Sequence, residues 1–388
     1  MSRATKSLSF NIRQYGILVA LIAIVVLFQV LTKGLLLAPN NVASLIQQNA
    51  YVMVLAIGMT MVVIARHIDL SVGSVVAFVG GVVAILMFDY QWAWPLAVVV
   101  GLALGILIGC WQGFWVAYVG VPAFIVTLAG MLLFRGLAIV LVERTVSGLP
   151  HGFVAIANGS IPSFLGFVDY YDVVTLVIGA VAIAGIVWSG ITSRRRAAKA
   201  GRVVEPLVGF IIKTAVIAAV VGFVTVLLAL SAGGTPIVLV IIGALVLLYT
   251  FVMNKTVFGR HIYAVGGNLA AARLSGINTK RVDFLVFVNM GILAALAGIV
   301  TTSRAGAAVA TAGNMYELDA IAAAFIGGTA VSGGKGKISG AIVGALIMGV
   351  LNMGLSIMSV DSAWQQSIKG LVVLLAVAVD LIGNRKNS

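Results

Sequence analysis

An all-α, polytopic membrane fold of twelve spans is what this 388-residue sequence predicts, and three observations carry that expectation. First, 62% of the residues are hydrophobic and only 9% are Asp, Glu, Lys or Arg, against roughly 25% charged residues in soluble domains. Too little polar surface is left to cover a globule. Second, the apolar residues come in runs long enough to cross a bilayer, for which about 20 are needed. Third, the basic residues sit in short clusters between those runs, as the bias of Lys and Arg toward cytoplasmic loops requires. The same distribution argues against nucleic-acid binding, because the formal charge of +13 forms no basic face interleaved with aromatics.

Taken in order, the apolar windows begin with 15–32, preceded by Arg3, Lys6 and Arg13 and lacking a small-residue cleavage pattern. It reads as a retained span and not a signal peptide. Windows 44–65, 70–88, 93–118 and 122–142 follow closely. The long external segment 143–172 comes next, made irregular by Gly148–Pro150, Gly159 and Pro162. Windows 173–191 and 208–230 enclose a basic loop, 192–207, and 235–253 leads into the internal loop 254–283. The last windows are 284–303, 318–331, 338–358 and 365–383. Window 318–331 reaches only ~21 Å at about 1.5 Å per residue, so it reads as a half-helix or part of a broken one. The 45 glycines suit close helix packing. Cys110 stands alone in an apolar run, so no intramolecular disulfide forms.

Placing residues 1–14 in the cytoplasm and alternating sides puts 19 of the 24 basic residues inside. Lys33, Arg144, Arg304 and Lys369 fall outside, and Arg135 falls within a span. Both termini are therefore expected in the cytoplasm, with residues 1–388 forming one membrane domain.

Self-comparison adds a faint repeat at an offset of 239 residues. "GLALGILIG" (101–109) lies over "GAIVGALIMG" (340–349), matching Gly101 with Gly340 and Gly105 with Gly344, and the turns Val121-Pro122 and Val360-Asp361 follow without a gap. Matched spans seven apart run in opposite directions. The pattern predicts inverted repeats at about 44–142 and 284–383, an arrangement transporters use to alternate the exposure of a central path. A chance packing pattern of small residues gives the same identities.

Ionisable and amide groups at membrane depth are costly and face a bundle interior or a wet cavity. "ARHIDLSVGS" (65–74), Arg135 and "NMYELDAIAAAFIGGT" (314–329) supply them here. Asp69 or Ser71 reads either as a cap accepting from a backbone N–H two or three residues on, or as part of a helix break beside a pathway. Arg135 lies about 18 Å into its span at 1.5 Å per residue and needs a carboxylate or carbonyl partner. Glu317 and Asp319 are expected near the outer edge, where water can solvate them. Of Gln47, Gln48 and Asn49, at least one must face inward, and neutral amides suit a hydroxylated substrate. The candidate pathway set is Gln47, Asn49, Asp69, Ser71, Thr127, Arg135, Asn314, Glu317 and Asp319.

Enzymatic chemistry finds no support. "AVSGGKGKISG" lacks the G-x4-G-K-[ST] spacing of a phosphate loop and reads as a tight cytoplasmic turn. His67, His151 and His261 have no metal-ligand spacing, and no nucleophile–base pair stands out. The chain has no visible means of using ATP itself.

"GRHIYAVGGNLAAARLSGI" (259–277) is unlike its surroundings. Asn268 suits an N-cap, "LAAARL" favours helix, and Gly276 is placed as the residue after the helix end. A two-turn helix over 268–275 follows, too short to stand alone in water. Ile262, Val265, Leu269 and Ala272 form an apolar stripe broken at Gly266-Gly267 and flanked by Arg260 and Arg273. Its cover is the bilayer surface, its own bundle or a soluble partner.

"HIDLSVGS" (67–74), "VPAFIVTLAGMLLFRG" (121–136), "GRHIYAVGGNLAAARLSGIN" (259–278) and "ELDAIAAAFIGGTAVSGGKG" (317–336) resemble the recurrent motifs of the ribose/xylose/branched-chain amino-acid permease family, the membrane subunits of bacterial ATP-binding-cassette sugar importers. The resemblance covers residues from about 40 to 383, and the extra spans near 173–230 look most like the xylose-type branch. It implies a multi-pass inner-membrane protein working as two permease copies. Two cytoplasmic ATPase subunits, or one duplicated ATPase, would bind ATP and magnesium, leaving this chain without a cofactor. A periplasmic binding protein would deliver the monosaccharide. It also implies an ATPase-coupling role for Arg260, Ile262, Val265, Gly266, Gly267, Asn268, Leu269, Arg273 and Gly276. An ion-coupled secondary sugar transporter fits the same spans and loops, and a non-transport scaffold is a third reading. A bulky residue at Gly266 or Gly267 is expected to uncouple ATP hydrolysis from uptake without blocking membrane insertion, which parallel ATPase and uptake assays measure.

Overall fold

The computed structural model describes residues 12–385 apart from 202, 203 and 205, so Arg3, Lys6, Arg202 and Lys386 lie outside the described residues. Each of the twelve apolar windows falls on helix. In order the helices among the described residues are α1 (Ile12–Leu31), α2 (Pro39–Gln48), α3 (Ala50–Ile64), α4 (Val72–Phe88), α5 (Trp94–Phe114), α6 (Ala123–Leu141), α7 (His151–Asn158), α8 (Val173–Lys199), α9 (Leu207–Ala229), α10 (Ile237–Lys255), α11 (Val257–Gly267), α12 (Leu269–Leu274), α13 (Thr279–Ala305), α14 (Tyr316–Ile326), α15 (Ile338–Ile357) and α16 (Ser362–Arg385). A π-helical turn, Trp115–Val119, extends α5. Two-residue strands β1 (Val146–Ser147) and β4 (Ala307–Ala308) pair antiparallel with Val146 opposite Ala308, and β2 (Phe167–Val168) pairs with β3 (Tyr171–Asp172). The fold is all-α and built for a membrane.

Reach differs among these helices. Among the described residues, seven are long and apolar enough to cross alone, and α2 with α3 makes an eighth, bent by 44° at Asn49. By contrast α4 has 17 residues and α14 only 11, or ~25 Å and ~16 Å at 1.5 Å per residue. The half-helix expected over 318–331 is therefore present, shifted to begin at Tyr316. Segment 254–283 holds two helices where one was expected. Thr256 caps α11 by accepting from the Gly259 N–H at 3.2 Å, and the helix runs through Gly266 before Asn268 opens α12.

The core is the group α3, α4, α13, α14 and α15. Residues 52–64 of α3 are buried throughout, so this helix is covered by protein on every side. Packing is closest where glycines meet. Gly291 of α13 faces Gly105 and Gly109 of α5, and Gly298 faces Val76 and Gly80 of α4. On the other side, Gly340 and Gly344 of α15 face Gly327 and Ala323 at the end of α14.

Parts of the 239-residue match reappear in space. Helix α13 packs on α4 and α5 while α3 packs on α14 and α15, and α4 meets α6 as α14 meets α16. The aligned turns both pass through left-handed backbone, Gly120 at φ 87° and Ser359 at φ 55°. Gly101 and Gly340 face equivalent neighbours, α4 and the end of α14. Gly105 and Gly344 do not: the first packs on α13 and the second on α14.

Replacing Gly291 with Leu would drive a side chain into the Gly105 carbonyl and to 2.9 Å from the Gly109 Cα. A backbone cannot rotate aside, so we expect a loss of about 3 kcal/mol, read as a lowered Tm in detergent. Gly185→Leu, where a Cβ meets nothing within 4 Å, should change stability by less than about 0.5 kcal/mol.

Candidate functional site

Two breaks in the helical core converge. After α3, Arg66 turns left-handed at φ 69° and residues 67–70 run without helix until α4 begins at Val72. After α13, Gly306 and Met315 turn left-handed at φ 63° and 65°, and α14 begins at Tyr316. The two helix starts meet at Gly73 and Gly313, where a Cβ on either would overlap the other's carbonyl. Only glycine permits that approach. Helix N-termini carry unpaired N–H groups and partial positive charge, and two of them are brought here beside side-chain oxygens.

Asp69 and Ser71 organise the first break. The Asp69 carboxylate accepts from the Ser71 N–H at 2.8 Å and from its hydroxyl at 2.6 Å. The expected bond to an N–H two residues on is thus present, whereas Ser71 spends its hydroxyl on Asp69 and does not cap α4. Gln112 of α5 donates its amide to the Ser71 oxygen at 2.6 Å, and Thr127 of α6 points its hydroxyl at the Ile68 carbonyl at 3.3 Å. All four side chains are buried. Gln112 was outside the sequence-predicted set, although a lone amide in the apolar run 93–118 was the available signal. Gly130 leaves the room it occupies, since a Cβ there would lie 3.0 Å from the amide nitrogen.

The second break is held from α6. The Arg135 guanidinium donates to the carbonyls of Ala310 and Ala312 at 2.8 and 2.7 Å, so the partner its depth demanded is backbone. Glu317 stands beside Gly73, half-buried, and Asn314 is exposed. Asp319 is buried, which corrects its expected solvation at the outer edge. Its carboxylate accepts from the Tyr51 hydroxyl at 2.8 Å and lies 3.4 Å from the Lys369 ammonium, while Tyr51 stacks on Tyr316 with centroids 3.6 Å apart. Because α14 begins inside the core, its first turn carries its acids inward.

Gln47 and Asn49 belong elsewhere. Gln47 donates to the Asn158 carbonyl at 3.2 Å, and Asn49 sits buried at the α2–α3 bend, accepting from Asn352 at 3.2 Å. A cavity of about 550 Å³ between α4 and α6 is lined by Phe78, Leu137, Val140, Asp89, Glu143 and Arg144, among others, and by none of the predicted pathway residues.

The segment 259–277 is wired to the first break. Arg66 Nε and Nη2 donate to the carbonyls of Gly266 and Gly267 at 2.7 and 2.9 Å. Those carbonyls are the negative end of α11, where a cation is favoured. The Gly334 N–H donates to the Ile64 carbonyl at 2.9 Å, and the Tyr263 hydroxyl donates to the Gly336 carbonyl at 2.9 Å. The Gly-rich run of "AVSGGKGKISG" is a turn through Gly333 and Gly334, at φ 80° and 70°, laid against Gly266 and Gly267. Asn268 accepts from the Ala271 N–H at 3.0 Å as α12's cap, and Gly276 has φ 80°.

The apolar stripe is covered by the chain's own bundle. Ile262, Val265, Gly266 and Ala272 are buried and Leu269 is half-buried. Arg260, Gly267, Asn268, Arg273 and Gly276 face outward, joined by Leu274, which is 91% exposed. Sequence reasoning missed Arg66 and Leu274. Periodicity favours buried residues and carries no signal for a carbonyl clamp or a bare tip.

The permease-component family of branched-chain amino acid transport systems matches residues 41–377. The chain is 42% identical over 380 residues to the xylose transport system permease protein XylH of Escherichia coli (strain K12), covering 98% of this chain and 94% of that one. It is 39% identical over 381 residues to XylH of Haemophilus influenzae, covering 97% and 98%. Identity to the ribose import permease protein RbsC of Escherichia coli (strain K12) is 37% over 363 residues, covering 94% and 92%. No solved structure matches the chain.

Gln112→Leu would leave the buried Ser71–Asp69 pair short of a donor. We expect a loss of about 1–3 kcal/mol by thermal unfolding in detergent, with Gln112→Glu failing to restore it because a second carboxylate repels Asp69.

Proposed function

The chain belongs to the family of branched-chain amino acid transport system permease components, and from that premise we propose that it is the membrane subunit through which an ATP-driven importer passes a monosaccharide into the cytoplasm. It is a multi-pass protein of the inner membrane and a sugar permease. Xylose is the favoured substrate, on the near full-length 42% identity to a xylose permease against 37% to a ribose permease. That full-length likeness is the observation on which the reading rests.

The finer architecture is part of the proposal. Twelve crossings, the tenth made by α14 as part of a broken span, would put both termini in the cytoplasm, with 1–14, 192–207 and 254–283 inside and 143–172 in the periplasm, all within one permease domain. The reciprocal packing of α13 on α4 and α5 and of α3 on α14 and α15 supports inverted repeats. Two copies of the chain form the path, ATPase subunits bind ATP and magnesium, and a periplasmic binding protein delivers the sugar.

The coupling mechanism follows from the clamp. A force on the outward face of α11 and α12, at Arg260, Arg273 and Leu274, is passed by a capped helix with a buried stripe, which does not absorb it. Arg66 carries the displacement to the break that ends at Asp69 and Ser71. There Gly73 and Gly313 bring the two helix starts into backbone contact, so a displacement of one is passed to the other. Hydroxyl-rich solutes are met by helix N-termini, amides and carbonyls more than by unpaired charge, since Arg135 and Asp319 are already partnered.

Reconstitution with the ATPase and binding protein tests the reading. Labelled xylose should enter liposomes only with ATP, and uptake on an ion gradient without the ATPase would refute it. Leu274→Asp should lower ATPase association at least about tenfold, as loss of a central apolar anchor does. Arg66→Gln should keep association and hydrolysis but cut uptake. At the glycines the expectation divides: Gly266→Leu drives into the Ile64 carbonyl and should uncouple, whereas Gly267 has nothing within 4 Å of a Cβ and should tolerate Ala.

A further inference from the structure

The helical hairpin α8–α9 stands apart from the core. It is fastened at one end, where Asp172 caps α8 by accepting from the Thr175 N–H at 3.0 Å, Thr235 donates to the Thr175 hydroxyl at 3.0 Å, and the Ala232 N–H donates to Asn40 at 2.9 Å. Its buried side chains lie at that end: Val174, Thr175 and Gly179 on α8, Leu228 and Ala229 on α9. Beyond them the two helices pack chiefly on each other, with Gly190 against Phe210.

The far end is basic and projects. Helix α8 has 27 residues, or ~40 Å, against a hydrocarbon core of about 30 Å. Its last two turns therefore emerge at a membrane surface. Trp188, Thr192, Arg195, Arg196 and Lys199 fall at steps of four, three, one and three, which place them on one helix face. Trp188 is 73% exposed, and Arg195, Arg196 and Lys199 are exposed too. Arg194 differs, lying over the Phe210 ring at 5.5 Å. The loop 192–207 holds five basic residues and one acidic residue, Glu205, and Arg195, Arg196 and Lys199 make no ion pair among the described residues.

We propose that this face, an interfacial tryptophan followed by Arg195, Arg196 and Lys199, is a binding site for anionic phospholipid headgroups that anchors the free end of the hairpin. Basic residues at a membrane surface attract anionic lipid in proportion to their number, and a tryptophan about two to three turns deeper anchors the helix at the interface. Phosphate complements the charge, and the unpacked apolar flanks, among them Val181, Ile211 and Val216, accept acyl chains. The site needs only that the basic end lie at a membrane surface, so it does not depend on the importer reading.

The test uses the full chain extracted from vesicles of equimolar phosphatidylcholine and phosphatidylglycerol, with retained lipids counted by native mass spectrometry. Wild type should be enriched in phosphatidylglycerol. R195Q/R196Q/K199Q should reduce that enrichment at least about tenfold, R195K/R196K/K199K should keep it, and R260Q should leave it unchanged. In wild type the enrichment should also fall as salt is raised, a measurement independent of any variant's folding. Equal retention of both lipids, unaltered enrichment in the Gln variant, or enrichment indifferent to salt would each overturn the proposal. Loss of ATPase association in the Gln variant with an unchanged lipid ratio would overturn it as well, and would assign the face to a protein partner.

Discussion

Backbone that leaves a helix inside an apolar surrounding must find partners for its N–H and C=O groups, and this structure depends on how two such departures are satisfied. The break after α3 is closed by Asp69, Ser71 and Gln112; the break after α13 by Arg135 on two carbonyls. Each uses side chains from other helices, so α5 and α6 are tied to the core by polar necessity as well as by packing. Glycine makes the arrangement possible, because Gly73 and Gly313 allow two helix starts to occupy one place.

The same economy recurs at the face carrying α11 and α12. A helix end leaves carbonyls unpaired, and Arg66 satisfies those of α11 while itself sitting at the end of α3. One side chain thus caps a surface helix and marks the start of a core break. Gly333 and Gly334 close the third side. Three segments far apart in sequence are thereby joined in one hydrogen-bonded junction.

Against this, α8 and α9 show what a helix pair does when no break ties it down. Their attachment is local, near Asp172 and Thr235, and the remaining surface is exposed, apolar along the shafts and basic at the far end. Rigidity is concentrated where backbone polar groups demanded partners; elsewhere hydrocarbon suffices as the surrounding.

Much of this was legible in the linear order of residues. Apolar windows located the helices, because a lipid-facing or buried helix needs little else. The cap at Asn268 and the left-handed Gly276 followed from local chemistry, and the shortness of α14 followed from the length of its apolar run. The candidate site was legible only in part. Asp69, Ser71, Thr127 and Arg135 drew notice as polar groups in apolar runs, yet Gln112 satisfies the same criterion and was passed over. Asp319 was misjudged because distance along a chain does not measure depth once a helix starts inside the core. Tertiary structure alone decided that Arg66 clamps α11, that Gly105 and Gly344 face different neighbours, and that Gln47 and Asn49 stand apart from the breaks. Local order is set by interactions within a few residues and can be read from them; a hydrogen bond between residues two hundred positions apart exists only when the chain has folded.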